Sequence, residues 1–242
     1  MYVVPPHNNS YSASIATTRR EAALGLSDAT PREVAYYAFR YVQSRIKDSV
    51  NLEILRNGTC AEGLRAQQRT MYQEAGTLGK SVNKFTSEDF INLTSSARKH
   101  SIGNCADICM LAARAIAEQG YPRPIELCAI QGQVENHSLD HSFLRIHCDP
   151  KAPHSQNYIL DPFVQMLSQP EQNNLLGTNQ PLAFEEPDFP QHLFCYTKND
   201  ITGNVQLLPV SAISNYWVRS VAAISLDSDR KLQFIPTLPQ TP

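Results

Sequence analysis

The chain has 242 residues, 42% of them hydrophobic and 18% charged, with a formal net charge of -2 at neutral pH. A chain of this length can bury one sizeable core, so we expect a single domain with appended ends. The near-neutral charge and the lack of any lysine- or arginine-rich run argue against nucleic acid or an anionic membrane surface as a partner. No apolar stretch of the sequence is long enough to span a membrane.

The cysteines indicate a reducing compartment. The chain has six of them and no CxxC pair, a spread that is typical of reduced thiols in a cytosol. They are Cys60, Cys105, Cys109, Cys128, Cys148 and Cys195. The amino terminus places its apolar residues before its arginines, the reverse of a secretory signal, so no ordinary secretory export is expected.

The N-terminal half carries helical signals. Residues 1–28 mix Pro, Ser, Asn and Thr without a period, which predicts a flexible lead-in. After them, Thr30, Pro31 and Glu33 form the pattern of a capping box with proline at the first helical position. The predicted helices cover about 31–47, about 61–75, a stretch that starts after Thr86, and a stretch from Cys105 to a stop at Gly120.

After Gly120 the pattern changes from helical to extended. Three stretches mix β-branched and alternating apolar residues and predict strands, namely "PIELCAIQG", "HSFLRIHC" and "NYILDPF". The segments between them, "QVENHSLD" and "DPKAPHSQ", are rich in turn formers, which favours an antiparallel meander. The sequence therefore predicts an α+β fold, with a helical N-terminal half packed on an antiparallel sheet.

The C-terminal third gives weaker signals. Beyond Pro162 we expect a short helix, a Pro- and Asn-rich loop to about residue 190, a strand at "HLFCYTK" and an apolar stretch up to Ile224. Residues 227–242 carry three prolines near the end of the chain and are expected to fray. The single domain is thus expected over 29–226.

Cys105 stands at the first turn of its predicted helix. It shares the apolar face of that helix with Ile108 and Cys109, so it points at the sheet from the helix end. Unpaired backbone N–H groups and the positive end of the helix dipole favour the thiolate there, and the same N–H groups can hold an oxyanion. A cysteine on an alanine-rich helix face is ordinarily core, which is our interpretation of Cys109 and the alternative interpretation of Cys105.

A cysteine nucleophile needs a base, and the base needs an acceptor that fixes its orientation. His141 opens the second predicted strand, and Asp161 ends the third. If these strands are antiparallel neighbours, the start of one lies beside the end of the next, which places His141 and Asp161 side by side. Asp161 also closes an apolar run before Pro162, which stops the strand. His137 is the competing base.

The blocks "GNCADICMLA", "LDHSFLRI" and "ILDPF", in this order, resemble the papain-like and transglutaminase-like cysteine enzymes, in particular those among bacterial secreted effectors. Their pattern is G-N-C at a helix start, D-H-x-F on a strand and D-P-W on the next strand. The resemblance covers residues 101–163 and implies a papain-like fold. By that resemblance Cys105 is the nucleophile, His141 the base and Asp161 the residue that orients the base.

The same resemblance implies acyl transfer at an amide of a partner protein, through a thioester and without a cofactor or metal. Glutamine deamidation or transglutamination of a host protein is the first expectation, and cysteine proteolysis is the second. A protein of this kind leaves the bacterial cytoplasm by a non-classical route and acts in the host cytosol.

Two departures from the family pattern bear on the mechanism. Phe163 stands where the pattern has tryptophan, and the only tryptophan of the chain is Trp217, far downstream. The sequence has no cluster of acidic residues, so no calcium requirement is expected. The pattern does not identify the side chain that would hold the oxyanion, although Gln67 and Gln68 lie upstream of the cysteine as the papain glutamine does.

Other interpretations of the same residues remain open. The chain can be a non-enzymatic binding module on a degenerate papain-like scaffold. A zinc site can be drawn from histidines and a cysteine of the strand region, but their spacing fits no known zinc motif. The residues in question are His137, His141, His147 and Cys148. Asp140 is expected to point to the face opposite His141.

Overall fold

A computed structural model describes residues 25–57, 61–134, 137–148, 157–177, 180–199, 205–213 and 215–237. Within these residues the protein is α+β. Its helices are α1 (Pro31–Arg45), α2 (Val50–Asn57), α3 (Glu62–Glu74), α4 (Ser87–His100), α5 (Cys105–Glu118), α6 (Gln169–Leu176) and α7 (Phe189–His192). Its strands are β1 (Ile125–Val134), β2 (His137–Ile146), β3 (Tyr158–Leu160), β4 (Ala183–Glu185), β5 (Phe194–Asn199), β6 (Val205–Pro209), β7 (Tyr216–Leu226) and β8 (Leu232–Pro236).

The strands form one antiparallel sheet that forks at β2. The main path runs β4-β3-β2-β1-β7-β8, and a branch of β5 and β6 also starts from β2. Along one edge of β2, residues 144–146 pair with β3, whereas residues 137–139 pair with β5. Residues 140–143 of that edge lie between these two described ladders and belong to neither. The two neighbours of β2 therefore separate around its middle.

Helix α5 is the centre of the molecule. Nearly all of its side chains are buried, because alanine and aliphatic residues occupy most of its positions. One side of the helix packs on β1, β2 and β7, and α1 and α4 cover other sides. A helix that is apolar on most faces is stable only when it is enclosed in this way. Its first turn is thereby held against β2.

The predicted helices are confirmed with small changes of bounds. Helix α1 begins with a capping box, in which the Thr30 N–H donates to Glu33 at 2.7 Å and the Glu33 N–H donates back to the Thr30 hydroxyl at 3.3 Å. Helix α4 begins in the same way, at Thr86 and Asp89. The sequence does not predict α2, because eight residues are too few to show a helical period.

The turn predicted between the first two strands is wrong in its extent. Strand β1 continues to Val134 and β2 starts at His137, so only residues 135–136 separate them. The polar residues near the ends of these two strands are typical of turns, but their backbones pair with each other in the sheet. The predicted loop before residue 190 is also wrong in part, since it contains β4 and part of α7.

The expected ends of the domain also need correction. Residues 1–24 of the predicted lead-in lie outside the described residues, but Leu26 is already buried and its N–H donates to the Gln119 carbonyl at 2.9 Å. The tail that was expected to fray from residue 227 contributes β8, which pairs with β7. Phe234 of β8 is buried against Phe90, with ring centroids 5.1 Å apart. Apolar side chains at alternate positions allow β8 to pack on the core, although prolines follow it in the sequence.

Candidate active site

Cys105 is the first residue of α5, and 6% of its surface is exposed. The turn before it is fixed from two sides. The Asn104 N–H donates to Asp107 at 3.0 Å, and the Asn104 side-chain oxygen accepts from the Ser49 hydroxyl at 3.1 Å. The N–H groups of Cys105 and Ala106 have no hydrogen-bond partner among the described residues. Two backbone donors are thus available beside the thiol.

His141 and Asp161 form a buried pair. His141 Nε2 lies 2.7 Å from Asp161 Oδ2, and the exposed fractions of the two side chains are 0% and 6%. The other carboxylate oxygen, Oδ1, accepts the N–H groups of Phe163 and Val164, each at 3.2 Å. Asp161 is therefore held by the turn after β3, and it holds the imidazole in turn.

The predicted adjacency of these two residues arises in a slightly different way. His141 is not at the start of β2 but at its middle, where β2 pairs with β1 on one edge and lies between the β3 and β5 ladders on the other. Strand β3 ends with Leu160 opposite Leu144, so the next residue, Asp161, enters the interval that β3 leaves open. The fork supplies the space in which the pair forms.

The environment of His141 favours its charged form. Burial by itself lowers the pKa of the imidazole, but the charge and the hydrogen bond of Asp161 raise it, and Cys105 raises it further, to about 10. Nδ1, the nitrogen that Asp161 does not use, is buried and makes no hydrogen bond of normal geometry in the described part of the chain. Nδ1 is thus the atom left to exchange a proton with the nearby Cys105.

Aromatic rings form one wall of the site. The Phe163 ring meets the His141 ring edge to face, with centroids 5.7 Å apart at an angle of 61°. The Tyr196 ring of β5 meets Phe163 in the same manner, at 6.5 Å and 88°. Phe163, the residue that departs from the family pattern, therefore packs on the imidazole. No local sequence signal singles out Tyr196, because β5 reaches this place only through its pairing with β2.

A polar network supports the first turn of α5 from α3. The Tyr72 hydroxyl donates to Asp107 at 2.8 Å, and the Gln68 amide contacts Asp107 at 3.4 Å and the Tyr72 oxygen at 3.2 Å. Burial raises the pKa of Asp107, although these hydrogen bonds lower it in part. The Gln67 amide donates to the His100 carbonyl at 3.0 Å. The amide groups of both candidate glutamines are therefore engaged in supporting contacts.

The remaining thiols differ from Cys105 in their surroundings. Cys109 is fully buried, its sulfur lies 3.3 Å from the Ser142 carbonyl oxygen, and burial raises the pKa of its thiol well above the ordinary value. Burial also raises the pKa of Cys195 and that of Cys128, the latter to about 12. Cys148 is partly exposed, and Cys60 lies outside the described residues.

The other candidates lie apart from the site or are not described. His137 belongs to β2, but its side chain is outside the described part of the structure. His147 Nε2 lies 3.3 Å from Glu126, and Asp140 is exposed. No group of three or more His, Cys, Asp or Glu side chains that could hold a metal occurs in the described ranges. None of the helices in those ranges is long and apolar enough to cross a bilayer.

Comparison with known proteins gives no match: no protein-family model, no curated protein and no solved structure is significantly similar to the chain.

Proposed function

We propose that the protein is a Cys-His-Asp thiol enzyme of the papain-like or transglutaminase-like type, which transfers an acyl group from an amide of a partner protein. One observation carries the proposal. Three groups come together in a fork of the sheet: a cysteine at a helix N-terminus, a neighbouring histidine with one buried nitrogen that has no partner of normal geometry in the described residues, and a carboxylate on the other histidine nitrogen. This is the set of roles that nucleophilic catalysis by a thiol requires.

The first half of the reaction acylates the enzyme. The raised pKa of His141 favours its charged imidazole at neutral pH, and an imidazolium beside a cysteine is an arrangement that activates a thiol nucleophile. The sulfur attacks the carboxamide carbon, the S–C bond forms, and the C=O electron pair moves onto the oxygen. When that pair returns, the C–N bond breaks, and the nitrogen takes the proton from Nδ1 and leaves as ammonia or an amine.

The second half releases the acyl group. Neutral His141 takes a proton from water, or from an amine, as that nucleophile attacks the thioester carbon. The S–C bond then breaks, the sulfur leaves as thiolate, and the imidazolium is restored beside it. Asp161 keeps its hydrogen bond to Nε2 through both halves and stabilises each charged imidazole.

The depth of the thiol favours a glutamine side chain as the acyl donor. Only 6% of Cys105 is exposed, so the reacting carbonyl must reach a thiol that is nearly buried. A carboxamide at the end of an unbranched side chain meets that requirement better than a main-chain peptide bond, which brings its flanking residues with it. Deamidation or transglutamination is therefore preferred to proteolysis.

The test uses a eukaryotic cell lysate, because the enzymes that this chain resembles act on host proteins. The lysate is incubated with the protein in isotopically labelled water and a biotinylated primary amine, and its peptides are then analysed by mass spectrometry. Labelled glutamate in place of glutamine reports deamidation, biotin on glutamine reports transglutamination, and new protein N-termini report proteolysis.

Cys105→Ser and Cys109→Ser are the matched variants for this experiment. They make the same change one helical turn apart, and the proposal expects the modification to vanish only in Cys105→Ser. Modification that persists in Cys105→Ser contradicts the proposal. The absence of any wild-type modification favours the interpretation of the chain as a binding module.

A further inference from the structure

We propose that the hydroxyl group of Tyr196 donates a hydrogen bond to the carbonyl oxygen of the substrate when that oxygen becomes an oxyanion. The inference rests on the proposed function and supplies the side-chain donor that the sequence motif leaves unidentified. The backbone N–H of Cys105 is the second donor to the same oxygen.

The fork of the sheet brings Tyr196 to the site. The ladder between β5 and β2 ends at Thr197, which lies opposite Leu139. Tyr196 is the residue before Thr197 in β5. Tyr196 therefore enters the interval of β2 that contains His141. The ring contacts from Tyr196 to Phe163, and from Phe163 to His141, fix it there. Asp161 enters the same interval from β3.

The Tyr196 hydroxyl has an unused hydrogen. Tyr196 is only 9% exposed, yet among the described residues no hydrogen bond contributes to the pKa of its hydroxyl and none is formed by it. Two other tyrosines, Tyr72 and Tyr121, do have acceptors. Tyr72 donates to Asp107 at 2.8 Å, and Tyr121 donates to the His147 carbonyl at 2.7 Å. A substrate oxyanion would give Tyr196 the acceptor it lacks.

Electrostatics agree with this position and with a donor role. Burial raises the pKa of Tyr196 to about 12, and an electrostatic interaction with Cys105 contributes to the increase. A pKa above the ordinary value also keeps the phenol protonated at neutral pH, as a donor must be. Arg65 lowers this pKa in part from the side of α3.

The other side chains near the first turn of α5 are less suited to the role. The Gln68 amide donates within the network around Asp107, and the Gln67 amide donates to His100. Tyr72, which Cys105 also influences, gives its hydrogen to Asp107. Among these four side chains, Tyr196 is the one whose hydrogen has no acceptor in the described residues.

The proton of Tyr196 does not transfer in this step. As the S–C bond forms, the C=O pair moves onto oxygen, and the Tyr196 O–H and the Cys105 N–H both point to it. When the pair returns to the carbon–oxygen bond, the C–N bond breaks and the hydrogen bonds weaken again. Tyr196 thus stabilises the charge that exists only near the transition state.

The test compares two reactions of the same sulfur in Tyr196→Phe. Acylation of Cys105 by p-nitrophenyl acetate passes through an oxyanion, whereas alkylation by iodoacetamide does not. Both rates are measured at Cys105 by peptide mapping. We expect acylation to slow by about tenfold or more while alkylation stays within about twofold of wild type. The variant keeps the ring, so the contact with Phe163 is retained.

Tyr121→Phe is the control, since it removes a hydroxyl of similar burial far from Cys105. Equal slowing of both reactions in Tyr196→Phe would overturn the inference, because it would indicate a disturbed Cys105 or His141. Unchanged acylation would overturn it as well. Failure of the proposed function itself is seen separately, as a wild-type Cys105 that iodoacetamide does not label selectively.

Discussion

The first and second turns of α5 carry the same side chain in opposite surroundings. Cys105 lies beside His141 and beside backbone N–H groups that have no partner among the described residues, whereas Cys109 lies in the apolar core with its sulfur against the Ser142 carbonyl. Burial penalises a charge on Cys109, and no cation compensates for it there. One turn of helix therefore separates a site suited to a nucleophile from a structural thiol.

The difference shows what position on a helix contributes to reactivity. Both cysteines are almost fully buried, so burial alone does not distinguish them. The neighbouring groups do: the thiol of the first turn lies beside His141, whereas the sulfur of the second turn lies against the Ser142 carbonyl. Substitutions of the residues that surround Cys105 test this difference between the two thiols.

Removal of the base should produce the largest effect. In His141→Ala, Cys105 loses both its proton acceptor and the neighbouring positive charge, so we expect acylation by p-nitrophenyl acetate to fall by about 10²-fold or more. Stopped-flow release of p-nitrophenolate, with peptide mapping of the acyl group, measures this rate. His147→Ala is the control, because that ring contacts Glu126 outside the site. An acylation rate equal to that of wild type would remove the contrast between Cys105 and Cys109.

Disruption of the buried pair should reduce stability in a pH-dependent way. Asp161→Asn leaves His141 buried without its carboxylate, at a cost of about 3 kcal/mol in the free energy of unfolding. The pKa of His141 in the folded protein is about 10, above its ordinary value of 6.5. The pair therefore stabilises the folded protein most at pH values below 6.5. Its contribution is lost as pH rises through the folded-state pKa.

Urea denaturation of wild type and Asp161→Asn at a series of pH values checks this. The difference in unfolding free energy should be largest at about pH 6 and should shrink toward about pH 10. A difference that grows with pH would mean that His141 is neutral in the folded protein, and the proton-transfer scheme would then need revision.

A smaller effect is expected behind the site. Tyr72→Phe removes one hydrogen bond to the buried Asp107 and should destabilise the protein by about 1 kcal/mol. Alkylation of Cys105 should change by less than about threefold, because Tyr72 supports the helix start and does not touch the substrate. Thermal unfolding and iodoacetamide labelling measure the two quantities. A large loss of labelling with little loss of stability would instead place Tyr72 in the reaction.

Much of the site follows from local sequence, and the rest does not. Capping signals around Thr30 and Thr86 predict α1 and α4, and the short apolar runs after Gly120 predict the first three strands. The position of Asp161 at the end of the third apolar run, antiparallel to the run that carries His141, predicts that the two residues lie side by side. In contrast, the role of Tyr196 depends on β5 pairing with β2, a contact between distant segments that no local pattern encodes. The pairing of β8 with β7 is of the same kind.

The most direct test of the central claim is brief, limiting alkylation with iodoacetamide at neutral pH, followed by peptide mapping, on wild type and His141→Ala. Accessibility alone would make the partly exposed Cys148 react before Cys105. Activation by His141 predicts the reverse order in wild type, and a selective loss of Cys105 labelling in His141→Ala. If Cys148 reacts first in wild type, or if His141→Ala labels Cys105 at the same rate, Cys105 is a core thiol like Cys109.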